Sequence, residues 1–335
     1  MIISSSTAHR RRRIRYAIAA LAVPALFLTA CSPVGGGTDA PAAGDTALTI
    51  ASGGTGGVYY PLAGGIATMI GNDIDGYSAT VQETNASVDN MLLIENGSAD
   101  LAFGVSDVVG AAAAGTEPFE SGSLNICSIG NLYSNFMHLV TTNGTGIASA
   151  EDMKGKTISV GAPNSATEVG AVRIIEAAGI NPETEIDRRQ LGVAETVQAL
   201  RDGTIDAGFW DGGLPTGALV DLASTGDMQL IPIGQYADTL SAGHGAYYFE
   251  QEIPANTYEG QTEAVSVVVS PNILVASKDM DEGLQENITA AIFDNKEALI
   301  QVHPAANELD AATAGDIAFI DTCPGSQAYF DQAAG

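Results

Sequence analysis

The segment Leu48 to Tyr60, LTIASGGTGGVYY, has residue types and spacing suited to holding an anion. A short apolar run reads as a strand, Gly53, Gly54, Gly56 and Gly57 as a turn, and Val58-Tyr59-Tyr60 as the start of a helix. The first N–H groups of a helix lack intrahelical partners and carry partial positive charge. A carboxylate can sit there, and glycine lets it approach the main chain. No Gly-Lys-Ser/Thr follows, which argues against a P-loop. GGxGG spacing without a ribose-binding acid fits a dinucleotide fingerprint poorly. The same turn also suits a purely structural strand-to-helix connection.

A second such turn lies at Gly161-Ala162-Pro163-Asn164-Ser165-Ala166-Thr167-Glu168. Asn164 or Ser165 suits a helix N-cap, and Ser165 with Glu168 has capping-box spacing, a role that could itself explain the turn. Two helix N-termini aimed at one cleft would grip the two ends of a small ligand, or one carboxylate from both sides. Thr55, Gly56, Gly57 and Tyr59 are candidates from the first turn; Asn164, Ser165, Ala166 and Thr167 are candidates from the second. Further polar residues follow strand ends: Thr84 and Ser87, Ser106 and Asp107, Ser134 and Asn135, and Trp210, Asp211 and Gly213. Trp210 could floor a pocket or pack in a core. Asp107 and Asp211 suit a ligand ammonium, a helix N-cap or a solvated loop. Arg173 lies two turns beyond Ser165, which leaves an anionic ligand dependent on backbone N–H groups and hydroxyls.

The elements that must position these residues alternate strand and helix. Strands are expected at Ala47–Ala51, Tyr77–Gln82, Ala99–Gly104, Leu124–Leu132, Phe136–Thr142, Thr157–Val160, Ile186–Leu191, Ile205–Trp210, Met228–Ile233 and Ala264–Ser277. Helices are expected at Val58–Ile70, Val88–Glu95, Val105–Ala114, Ala166–Ala178, Ala194–Arg201, Pro215–Ala223 and Met280–Val302, then a helical and finally irregular tail. Ser149 to Asp152 reads as a capped turn. This alternation predicts an α/β fold with mainly parallel sheets, and its restart after Thr142-Asn143-Gly144 predicts two lobes. The late strand run returns to the first lobe, giving 47–142 with 264–335 as one lobe and 143–263 as the other. Ligands of such sheets bind at the carboxyl ends of strands, here the inter-lobe cleft.

The ends and the composition narrow the setting. Arg10 to Arg13 and Arg15 form a basic stretch, Tyr16 to Leu28 is apolar, and Leu28-Thr29-Ala30-Cys31 resembles a lipobox. Residues 1–30 therefore read as a lipoprotein signal peptide, Cys31 as the lipidated N-terminus, and 31–46 as a flexible tether. The arginine-rich start also resembles a twin-arginine signal. The expected location is extracytoplasmic, anchored to the membrane through Cys31. Removing residues 1–30 takes away five Arg and no acid, so the formal charge moves from −27 to −32. So acidic a chain is a poor partner for nucleic acid or for anionic lipid through its own charge. The scattered acids read as a solvated surface, with salt adaptation as a second reading. Cys127 and Cys323 remain as a disulfide candidate, or as two separate buried thiols. His9, His138, His244 and His303 are scattered and no metal motif occurs, so neither metal nor cofactor is expected.

Taken in order, the motifs resemble the TAXI-type solute receptors of tripartite ATP-independent periplasmic (TRAP) transporters, from about Leu48 to Phe330. The resemblance rests on Gly53 to Pro61 (GGTGGVYYP), Glu83 to Val88 with Asn90, Gly97 to Phe103 (GSADLAF), Leu132-Tyr133, and Asp152 to Lys156 (DMKGK). It continues through Gly161 to Glu168, Gly203 to Phe209 (GTIDAGF) and Gly213 to Thr216. It implies a two-lobed type II periplasmic-binding-protein fold and capture of a solute, glutamate- or glutamine-like amino acids or small carboxylates, for a membrane permease. The chain departs from the family at Asn164-Ser165-Ala166-Thr167, usually Gly-Ser-Gly-Thr; at Ser134-Asn135, often Pro-Glu; and at Cys323-Pro324-Gly325, usually His-Pro-Gly. The last departure, with Cys127, implies a disulfide particular to a subset. Such a receptor needs no catalytic group. A secreted hydrolase is the enzyme alternative, but no G-x-S-x-G elbow is present. A ligand-sensing receptor for a membrane signalling partner is the second binding reading.

Overall fold

The computed structural model describes residues 46–333 except 120, 121 and 226. The expected signal peptide, the lipidation site at Cys31 and the tether up to residue 45 lie outside the described residues. Among the described residues no helix is long and apolar enough to cross a membrane.

The first half of the fold is β1 (Thr46–Ala51), α1 (Tyr59–Asp73), β2 (Tyr77–Gln82), α2 (Ser87–Glu95), β3 (Leu101–Val105) and α3 (Ser106–Ala114). β1 pairs parallel with β2 and with β3. β3 is an apolar run buried at every position, as a central strand covered on both faces requires. Helix α3 ends at Gly115, where φ is +68° and a Cβ would meet Ser123 N at 2.3 Å, so only glycine fits the stop.

The second half repeats the plan: β5 (Thr157–Ser159), α4 (Ala166–Ala177), β6 (Asp187–Arg189), α5 (Val193–Arg201), β7 (Ala207–Gly212), α6 (Gly217–Ala223) and β8 (Met228–Ile231). β5 is parallel to β6 and β7. Each half uses one Asp in the same way. Asp100 Oδ2 accepts from Thr49 N at 2.7 Å, and Asp206 Oδ2 accepts from Thr157 N at 2.8 Å, each carboxylate tying a strand start to the neighbouring strand.

Two long antiparallel strands, β4 (Ile126–Thr142) and β10 (Val265–Ser277), join the halves into one sheet. Its order is β2-β1-β3-β10-β4-β7-β5-β6, with β8 on β4 and β9 (Phe249–Ile253) on β10. Both strands change core as they run. Cys127, Ile129, Leu132 and Tyr133 pack in the first half, and Phe136, Met137, Leu139 and Val140 in the second. On β10, Val267 to Val269 belong to the second core, and Leu274 and Ala276 to the first. The change falls where Ser134 and Asn135 face Pro271 and Ser270. The fold is α/β, two halves with their own cores joined through β4 and β10.

Four sequence expectations need correction. The strands expected at 124–132 and 136–142 are one strand, because the ladder to β10 supplies backbone partners straight through Tyr133, Ser134 and Asn135. The helix expected over 280–302 is two, α8 (Glu282–Phe293) and α9 (Lys296–Val302). Asn295 separates them, its amide donating to Ala291 O and Asp73 Oδ2 in competition with helix continuation. α7 (Ala237–His244) and β9 carry weak apolar periodicity and were not expected; β9 is exposed on four of its five residues. The tail runs in the opposite order, a 3₁₀ turn (Pro304–Glu308) and irregular chain preceding α10 (Pro324–Ala333). Cys127 of β4 and Cys323, just before α10, are joined by a disulfide spanning 196 residues of sequence.

Candidate functional site

The two expected turns come together. Gly54 of the first and Ser165 and Thr167 of the second line one chamber of about 730 Å³, with Thr84 and Trp210. A volume of this order suits a small organic solute. The chamber is acidic: Glu83, Asp89 and Glu195 line it, and among the described lining residues there is no Lys or Arg.

Much of the expected binding chemistry is engaged in holding the walls. Ser165 caps α4, accepting from Glu168 N at 3.1 Å and donating to Ala162 O at 2.7 Å. Asn164, with φ +60°, donates its N–H to Glu168 Oε2 at 2.9 Å, which completes a reciprocal box. Its carbonyl crosses to the other half and accepts from Val88 N (3.1 Å) and Asp89 N (3.4 Å), so the start of α2 is capped from across the cleft. Thr84 Oγ1 accepts from Ala86 N and lies 2.7 Å from Asn90 Oδ1 and 3.0 Å from Ser52 O. Buried Asn90 donates to Ser52 O and Phe103 O, locking the Gly-rich turn to β3. Thr55 N–H donates to Glu83 Oε1 at 3.3 Å, which removes one donor from the expected anion grip. Ser87 Oγ accepts from Val105 N, and Ser134 N donates to Glu308 Oε2.

Thr55, Gly56 and Gly57 line a separate depression of about 710 Å³ with Pro215 and His303. There Gly56 O accepts from Ala218 N at 3.3 Å, and His303 Nε2 donates to Pro215 O at 3.1 Å, two further bonds between the halves. Gly213 serves as acceptor for Thr216 Oγ1 at 2.9 Å. Ala166, at the start of α4, lines a small cavity beside Asp107 and Asp211.

Trp210 is held by a relay that begins in the core. Buried His138 donates Nδ1–H to Phe136 O at 2.7 Å and accepts at Nε2 from Tyr258 OH at 2.9 Å. Burial pushes His138 down to about 4, so it stays neutral and keeps that accepting nitrogen. Tyr258 OH in turn accepts from Thr216 N at 3.1 Å, and Thr216 Oγ1 accepts from Trp210 Nε1 at 2.8 Å. The ring lies on the Gly-rich turn so closely that a Cβ at Gly57 would sit 2.9 Å from it.

Two carboxylates lie in the seam between the halves and behave differently. Asp107 Oδ2 accepts from Arg173 Nη1 at 2.7 Å and from Tyr248 OH at 2.6 Å, and Arg173 also donates to Tyr248 OH. The residue set aside as too distant from the cleft thus bridges it, joining α4 to the start of α3. Asp211 is buried and its Oδ1 has no partner. Burial, then the charge of Asp107, raise its carboxyl to about 8. Around it, Asn272 Nδ2 donates to Tyr59 OH at 2.5 Å, and Asn135 Nδ2 lies 3.5 Å from the same oxygen. Asn135 Oδ1, Asn272 Oδ1 and Ser106 Oγ are buried without partners. Sequence reasoning missed Asn272, Tyr248 and Tyr258, placed Asn90 only in a motif and set Arg173 aside. Asn272 was discoverable as the one amide in the strand run SVVVSPNILVAS.

Residues 50–333 match the NMT1-like family. The chain belongs to that family. Among solved structures, this NMT1-like protein is similar to the periplasmic aliphatic sulphonate binding protein SsuA of Escherichia coli, at 14% identity over 85% of this chain and 82% of that one, TM-score 0.44. It is also similar to an ABC uptake transporter substrate binding protein from Streptococcus pneumoniae with bound histidine, at 16% identity over 77% and 92%, TM-score 0.48. Among the described residues no cluster of His, Cys, Asp and Glu is arranged to hold a metal ion.

Proposed function

We propose that this NMT1-like protein is an extracytoplasmic solute receptor of the TAXI type, anchored through a lipidated Cys31, that delivers a small solute to a TRAP-type secondary permease. The observation that carries this reading is the chamber of about 730 Å³ walled by the turns of both halves. A solute there touches both lobes, taken as 47–142 with 264–335 and 143–263, so its binding free energy favours the closed state. Ser134-Asn135 and Ser270-Pro271, where β4 and β10 exchange cores, are the natural hinge. Closure supplies the signal to the permease, and no bond-making step is required of the receptor. The ordered motifs listed from Gly53 to Thr216 support the TAXI assignment.

The chamber's chemistry favours some solutes over others. Helix N-termini can take a carboxylate, but Glu83, Asp89 and Glu195 repel a second negative charge. A glutamine-like or other neutral amino acid is therefore preferred to glutamate or a dicarboxylate. Thermal melting with a panel of amino acids and dicarboxylates tests the reading. One class should raise Tm, by the equivalent of about 2.7 kcal/mol at 100 times Kd. Mass spectrometry of solute carried through purification should identify the same class. If no small solute shifts the melt and none co-purifies, the receptor reading fails.

A further inference from the structure

Most of the polar side chains in the wall of the chamber are already engaged in building that wall. The hydroxyls of Thr84 and Ser165 each donate and accept within the chain. Thr167 Oγ1 accepts from Asp211 N, Gln190 donates to Glu168, and Trp210 donates its one side-chain N–H to Thr216. Asn85 donates to Asp89 Oδ2, and Glu83 accepts from Thr55 N. Backbone donors are taken as well, because Asn164 O accepts from Val88 N and Asp89 N. A solute that hydrogen-bonds to these groups must first replace a bond that exists, so the net gain is small.

The apolar side chains of the same wall are the ones left open. Leu92 and Leu93 of α2 reach the chamber from the first half, and Pro163, Leu191 and Val193 reach it from the second. Leu92 is 39% exposed, while Val88, Met91 and Ile94 supply the buried apolar face of its helix. Packing within the fold therefore does not account for a leucine at that position. Apolar surface held open at a concave wall marks a place that receives an apolar group. A solute body between the two apolar faces is covered from both halves. Each methylene it carries adds to the burial that favours the closed state.

We infer that the chamber selects its solute by a hydrocarbon body, aliphatic or aromatic, rather than by a polar side chain. The inference rests on the receptor reading and names its substrate class: among neutral-bodied solutes, a hydrophobic amino acid or a straight-chain monocarboxylate in place of a glutamine-like one. Glu83, Asp89 and Glu195 act in the same direction. They repel a second carboxylate, whereas a hydrocarbon has no charge to repel and no hydrogen bond to satisfy.

The test is isothermal titration of the purified protein with two homologous series. One runs from L-2-aminobutyrate through L-norvaline to L-norleucine, the other from butyrate through valerate to hexanoate. L-glutamine and glutaramate serve as the amide-ended counterparts of the longest members. In the series that binds, affinity should rise roughly fourfold per added methylene. The longest member should bind about tenfold or more tightly than its amide-ended counterpart. A response to the first series assigns a hydrophobic amino acid and a response to the second a simple monocarboxylate, and either supports the inference. Leu92→Asn and Leu191→Asn should cut the gain to about twofold or less per methylene while melting cooperatively. A flat series, equal or tighter binding of the amide-ended solute, or an undiminished gain in both variants overturns the apolar selection and leaves the receptor reading intact. Binding only by a charged or amide-bearing solute of the melting panel does the same. If no solute of either series or of the panel binds, both readings fall together.

Discussion

The two halves use their acids alike at one end of the sheet and differently at the other. Asp100 and Asp206 each accept a backbone N–H at a strand start, 2.7 and 2.8 Å away. Asp107 and Asp211 lie near the opposite strand ends, where the halves meet. Asp107 is fully partnered by Arg173 and Tyr248, a bridge between halves. Asp211 keeps one oxygen free in a buried seam. In the receptor proposed above, the difference separates two roles: Asp107 joins the halves through Arg173 and Tyr248, and Asp211 does not.

The comparison is sharpened most by removing the unpartnered acid. Folded Asp211 keeps a proton, up to about pH 8, that the unfolded chain releases near pH 3.8. Its contribution to stability therefore falls as pH rises from about 4 to about 8, by about 1.4 kcal/mol per pH unit. Asp211→Asn should lose that slope and melt higher than wild type at pH 8 in the absence of solute. Thermal melts from pH 4 to 9 check this, and a variant less stable than wild type at pH 8 would break the contrast.

Asp107 should behave in the opposite way. Asp107→Ala strands Arg173 and Tyr248 in the seam, and loss of one partner of a buried ion pair costs about 3–5 kcal/mol. The loss should appear as opening of the lobes, seen as a larger radius of gyration in solution scattering without solute. A variant as compact and stable as wild type would show that the bridge is not a latch.

His138 supplies a counter-slope. Folded, it titrates near 4 against 6.5 unfolded, so its contribution is present above pH 6.5 and lost as pH falls toward 4. Each group contributes about 1.4 kcal/mol per pH unit, with opposite signs, between about pH 4 and 6.5. They cancel there, and a net fall remains between about 6.5 and 8. His138→Gln should unmask the Asp211 slope at acid pH. The smallest effect is expected from Thr216→Val, which cuts the relay to Trp210 at a cost of about 1–2 kcal/mol in stability. Affinity should drop roughly tenfold for a comparable loss of positioning. Tryptophan fluorescence and titration measure both, and unchanged affinity would show that the ring needs no such support.

Much of this was legible in the linear chain. The strand–turn–helix units, the N-cap at Ser165 and the restart of the pattern after residue 143 follow from local spacing, because capping and apolar periodicity act within a few residues. The same local logic failed at β4, where Ser134-Asn135 looks like a break but the ladder to β10 carries the strand through. It failed again at Arg173, whose reach to Asp107 depends on how the two halves pack.

The sequence by itself determined the α/β alternation, the two Gly- and Ser-rich helix starts and the acidic, lysine- and arginine-poor character of the chain, since each is a property of residue type and short-range order. Only the tertiary structure decided which hydroxyls and N–H groups are already engaged and which acid pairs with the distant arginine. It also decided that Asn135, Asn272 and Asp211, on three different strands, are buried with one side-chain oxygen each unpaired. Hydrogen-bond satisfaction and desolvation depend on neighbours brought together by the fold, and no reading of local pattern contains them.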